Sequence, residues 1–74
     1  MVRLNVLELL QKQGKTKYWL YKQMDLSYQN FNRIVNNETS SIRFDNLEKL
    51  STILQCPIGE LFEVINNESL DEMG

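Results

Sequence analysis

Along most of the chain apolar residues recur at spacings of three and four, the period of a helix with one buried face. No stretch alternates apolar and polar positions long enough to suggest a sheet. Five short helices are predicted. The first spans Arg3 to Gln13, with Val2, Val6, Leu7, Leu9 and Leu10 within about 160° of the wheel and Leu4 just outside; Gly14 stops it. Thr16 is the expected N-cap of a second helix ending at Met24, with Leu20 and Met24 inward and Asp25 at the sharp turn that follows. Ser27 caps a third, Tyr28 to Val35, which buries Phe31, Ile34 and Val35 and ends at Asn36-Asn37. Beyond the polar loop 38–41, Asp45 and Glu48 have the spacing of a capping box for a fourth helix, with Leu47, Leu50, Ile53 and Leu54 inward. Pro57 suits the first turn of a fifth, carrying Ile58, Leu61, Phe62 and Ile65. The expected fold class is all-α, in one domain over residues 1–65. An acidic, flexible tail over 66–74 follows.

Composition narrows what such a bundle does. Seventy-four residues make one domain with a modest core. A single cysteine, Cys56, excludes an internal disulfide, and with no histidine a structural metal site lacks ligands. Cys56 reads as a small buried hydrophobe, with a redox switch as the alternative. The polar start is no secretory signal and no window has the length of an apolar membrane span, so a cytoplasmic protein is expected. Catalysis is not expected. There is no histidine for acid–base work, no glycine-rich phosphate loop, and no nucleophile paired with a base; Asp71 and Glu72 lie in the tail without a pocket. No cofactor is implied.

The net charge of −2 looks wrong for a nucleic-acid binder until it is divided along the chain. Residues 1–35 carry six bases and two acids, net +4, whereas residues 36–74 carry two bases and eight acids, net −6. Such a split suits one face turned to a polyanion, although ordinary solvated charge would give it too. The second and third helices add chemistry to the charge. A helix-turn-helix needs one anchoring helix and another that presents polar side chains to the major groove. The third helix sets Gln29, Asn32 and Arg33 opposite its apolar strip. Arginine can grip guanine O6 and N7, and glutamine or asparagine can grip adenine N6 and N7. Lys17 lies at a helix start, where a phosphate would sit.

The run TKYWLYKQMDLSYQNFNRIVNNETSSIRFDNLEKLSTILQCPIGELF, and with it about residues 4–63, resembles the Xre/Cro-like family of phage-repressor-type regulators. The resemblance implies a compact five-helix helix-turn-helix domain that binds double-stranded DNA, often as a dimer on palindromic sites. It places base readers on Tyr28, Gln29, Asn32 and Arg33, and phosphate contacts on Lys17, Asn36 and Arg43-Phe44. Arg43 could instead enter a narrow minor groove. Relatives favour glycine at Asp25 and often at Asn37, for which these residues are tolerated substitutes. They favour alanine at Tyr21, so a tyrosine there must tilt outward or widen the crossing of the two helices. Many carry a charge at Val35, where this chain has an apolar residue facing Leu10.

The expected function is therefore sequence-specific DNA-binding regulation of transcription by a homodimer, with Pro57, Ile58, Phe62 and Ile65 as candidate dimer surface. The alternative is a protein-interaction module reusing the fold, favoured by the acidic C-terminal half and by Tyr18, Trp19 and Tyr28. Tyr28 suits either, as a reader of a thymine methyl or as a protein anchor. Trp19 is expected to be partly packed.

Overall fold

A computed structural model describes residues 1–65; the acidic tail expected over 66–74 lies outside the described residues. The elements are β1 (Val2–Leu4), α1 (Val6–Gln13), α2 (Lys17–Met24), α3 (Tyr28–Val35), α4 (Phe44–Leu54), a 3₁₀ turn (Ile58–Leu61) and β2 (Phe62–Val64). Among the described residues, four α-helices and a two-stranded antiparallel sheet replace the five helices expected. Both corrections have one cause. Val2 pairs with Val64, Arg3 with Glu63 and Leu4 with Phe62. Each strand is three residues long, too short to show alternation against helical neighbours, and its partner lies some sixty positions away. The pairing draws Val2–Leu4 out of the first helix. It also limits the segment after Pro57 to a single turn, closed by the Glu60 N–H donating to the Pro57 carbonyl at 2.9 Å.

The ribbon continues one residue past each strand. Met1 and Ile65 exchange backbone hydrogen bonds of 3.2 and 2.6 Å, and the Asn5 N–H donates to the Leu61 carbonyl at 2.8 Å. By the alternation of an antiparallel ladder, Leu4 then turns its own N–H and C=O away from β2. Asn37 meets them. Its Oδ1 accepts from the Leu4 N–H at 2.6 Å and its Nδ2 donates to the Leu4 carbonyl at 3.1 Å. One side-chain amide thus stands where a third strand would.

Helix ends follow the local chemistry where the sequence supplies a cap. Thr16 Oγ1 accepts from the Trp19 N–H at 3.0 Å, and Ser27 Oγ accepts from the Asn30 N–H at 3.2 Å. Gly14, Asp25 and Asn37 take left-handed conformations with φ of 69°, 58° and 60°. Gln55 does the same at 56° to end α4, which its side chain did not announce. The expected capping box of α4 does not form. The helix begins at Phe44 with Arg43 at the N-cap and no capping side chain, and the Asp45 carboxylate is engaged by Arg43. Two long side chains close helix C-termini from a distance. Gln13 Nε2 donates to the Leu54 carbonyl at 2.8 Å, and Lys49 Nζ to the Met24 carbonyl at 3.3 Å.

The core gathers Leu4 from β1, Val6 and Leu10 from α1, Leu20 and Met24 from α2, Phe31, Ile34 and Val35 from α3, Leu47, Leu50 and Leu54 from α4, and Leu61. Every helix and the ribbon contribute to it. Leu7, expected inward, is exposed because α1 buries only its Val6–Leu10 edge fully. Val35 and Leu10 both lie in the core.

Candidate nucleic-acid interface

Helices α2 and α3 are joined by Asp25-Leu26-Ser27, and Asp25 makes the reversal by adopting the left-handed conformation. Ser27 then starts α3 with its hydroxyl over the first turn. Phe31, Ile34 and Val35 pin the inner side of α3. The outer side carries Tyr28, Gln29, Arg33 and Asn36, all exposed. Asn32 departs from that row. It is half-buried, and its Oδ1 is closed to solvent without a hydrogen-bond partner among the described residues.

Arg33 and Arg43, ten positions apart, line one open groove of about 240 Å³ between α3 and the start of α4. Asn30, Thr39, Ser41 and the buried Asn46 line it too. These polar partners were not anticipated. A signal for Asn46 existed, since it stands four residues before Leu50 on the inward face of α4. Arg43 is tied to Asp45 at 3.1 Å on an exposed surface. The Arg43 hydrogen bond holds the Asp45 carboxyl below its ordinary range, and the same contact raises the arginine. An ion pair this open to water is weak and costs little to exchange for another anion. Lys17 is half-buried at the first position of α2, and Asn36 is the exposed C-cap of α3.

Aromatic rings bridge the two helices. Tyr21 is half-buried rather than turned out, and its ring meets Tyr28 edge-on at 5.1 Å and 88°. It lies 5.4 Å from Phe31 and 6.3 Å from Tyr18. Lys22 Nζ sits 5.4 Å from the Tyr18 ring. Trp19 is half-buried against the core, with Lys15 Nζ 4.8 Å from its ring.

The chemistry of this surface is plain: cationic and amide groups stand on an eight-residue rod whose other side is locked into the core. The model of the Cro/C1-type HTH DNA-binding domain matches residues 5–67. The chain belongs to that family. No match is found among curated proteins or among solved structures. As a Cro/C1-type domain the protein is a DNA-binding regulator, in a family that is typically non-enzymatic. The match begins at Asn5, just past β1. Among the described residues no helix is long and apolar enough to cross a membrane, and no three His, Cys, Asp or Glu side chains gather as a metal site.

The candidate dimer residues do not form the helical strip from which they were inferred. Pro57 and Ile58 are exposed, but Phe62 lies in β2 packed against the core, and Ile65 pairs with Met1. Met1, and Val2 and Val64 on the two strands, are exposed as well.

Proposed function

We propose that this Cro/C1-type domain is a sequence-specific regulator that lays α3 in the major groove of double-stranded DNA and acts as a dimer. The observation that carries the reading is the division of α3 into a buried apolar side and an exposed row of Tyr28, Gln29, Arg33 and Asn36. Gln29, Arg33 and Tyr28 are assigned to base edges, and Lys17, Asn36 and Arg43 to phosphates; Asn32, its Oδ1 closed to solvent, does not stand with the base readers. Arg43 exchanges Asp45 for the backbone when DNA arrives. Two copies would set their α3 helices about 34 Å apart, one turn of duplex. The dimer contact is assigned to the surface around Pro57 and Ile58, with Phe62 and Ile65 at its edge. Sedimentation with and without DNA tests it, and a monomer in both would remove it.

A salt titration on a selected duplex tests the DNA reading. Each phosphate contact adds about −0.9 to the slope of log affinity against log salt. Lys17→Ala should weaken all duplexes alike and flatten that slope by about one contact, whereas Arg33→Ala should cost about 1–3 kcal/mol of discrimination at one base pair. Equal, sequence-blind losses in both variants would refute the assignment. Binding that ignores salt would favour a protein partner, for which the exposed Tyr18 and Tyr28 offer anchors.

A further inference from the structure

We propose that Tyr21 is a positioning residue for Tyr28, holding its ring as a rigid apolar reader of one thymine methyl group. The inference rests on the DNA reading above and adds the base, the chemical group and the device. Tyr28 is the first residue of α3, the position nearest the floor of a groove when a recognition helix enters by its N-terminal end. It is 53% exposed, so part of its ring is free to meet a ligand. The remainder is held from two directions. Tyr21 reaches it from α2, edge to face, at 5.1 Å and 88°. Phe31, one turn along α3, lies nearly parallel at 6.4 Å and 30°. Tyr21 is itself braced by Phe31 at 5.4 Å, and Phe31 is 1% exposed. The chain of contacts therefore runs from the core through Tyr21 to the exposed ring.

A small side chain at position 21 would leave Tyr28 with Phe31 alone and free it to swing about its first torsion. An aromatic ring in the major groove makes its sequence-dependent contact with the C5-methyl of thymine, which no other base carries there. Burying one methyl group is worth about a fourfold preference, from about 0.8 kcal/mol converted at tenfold per about 1.4 kcal/mol. A ring that must first be immobilised gives up about two- to twelvefold in affinity, from about 0.5–1.5 kcal/mol per ordered side chain on the same conversion. Over the upper part of that range, loss of the brace erases the methyl preference.

The test uses the full chain and a duplex chosen by selection from a random library. Each thymidine is replaced in turn by deoxyuridine, which removes only the methyl group. The native protein should prefer thymidine about fourfold at one position. Tyr21→Leu, which keeps bulk at the helix crossing, and Tyr28→Ala should both bring that ratio near one. Tyr21→Phe and Tyr28→Phe should keep it, and Tyr21→Leu/Tyr28→Ala should lose no more preference than Tyr28→Ala alone. A thermal melt of each variant confirms folding. A native protein indifferent to every methyl, a Tyr21→Leu variant with the native ratio, or one weakened equally on all duplexes would overturn the proposal while leaving DNA reading by α3 intact. So would a Tyr28→Phe variant that loses the preference, since the hydroxyl rather than the ring would then be reading. Failure to select any site would instead defeat the reading on which the proposal rests.

Discussion

Asn37 combines two jobs that substitution can separate. Its backbone needs the left-handed conformation, with φ of 60°, and its side chain holds both polar groups of Leu4. Arg33 depends on it indirectly, because Asn37 lies two residues past the end of α3. Glycine at 37 keeps the backbone and removes the clamp. Two hydrogen bonds at about 0.5–1.5 kcal/mol net each give a loss of about 1–3 kcal/mol. The upper half of that range is expected, because Leu4 is buried and water replaces the amide poorly. Alanine removes the clamp and adds about 1–2 kcal/mol of left-handed strain, so Asn37→Ala should fall below Asn37→Gly by that amount. A domain of this length has only about 4–11 kcal/mol in total, at about 0.05–0.15 kcal/mol per residue. The assay is urea unfolding followed by the fluorescence of half-buried Trp19, with the slope expected to stay constant and only the midpoint to move. Each kcal/mol corresponds to a drop of about 4–8 °C in Tm. Hydrogen exchange at the Leu4 amide should be slow in the native protein and fast in both variants. A glycine variant with the native midpoint would show that the amide clamp contributes nothing, and equal glycine and alanine variants would remove the strain.

Two further outcomes follow from the electrostatics. Asp45→Asn should release Arg43 and tighten binding to duplex by about two- to fivefold at low salt, the size of one charge at a helix end, with the gain fading as salt rises; a titration showing weaker binding would mean the pair orders Arg43 instead of occupying it. Burial first, and the Glu60 charge second, push the Cys56 thiol above its ordinary range, so less thiolate exists at neutral pH. Its alkylation rate should climb at higher pH than that of a free cysteine, and a coincident pH–rate curve would contradict the burial.

The legible parts of this chain are those written in neighbouring residues. Thr16 and Ser27 cap where their hydroxyls predict, Asp25 turns where glycine is usual, and the third helix begins and ends at Tyr28 and Val35. The outward row of α3 was legible for the same reason, since three inward apolar residues fix the phase of an eight-residue helix. Asn32 shows the limit of that phase argument: it lies at the edge of the row, and the crowding that half-buries it comes from the tertiary fold. What the local pattern could not carry was pairing across the chain. Val2-Arg3-Leu4 has the composition of a helix start until Phe62-Glu63-Val64 is laid beside it. Asp45 has the spacing of a capping residue until Arg43 takes its carboxylate. The groove shared by Arg33 and Arg43 exists only once the fold sets the start of α4 across from α3.

The ribbon that escaped local reading also explains how so short a recognition helix is held. Eight residues are too few to keep a helix formed by propensity alone. Its head is fixed by the Ser27 cap and by the rings of Tyr21 and Phe31, which also meet Tyr28. Its tail runs into Asn36 and Asn37, and Asn37 is bound to Leu4, which is itself paired with Phe62 of β2. A load on the C-terminal end of α3 therefore passes to a strand drawn from the opposite end of the chain. Loosening the clamp should consequently spare contacts at Tyr28 and Gln29 more than contacts at Arg33 and Asn36, because only the latter lie in the last turn before Asn37. A uniform loss would mean that α3 responds as one rigid rod, anchored by its apolar side alone.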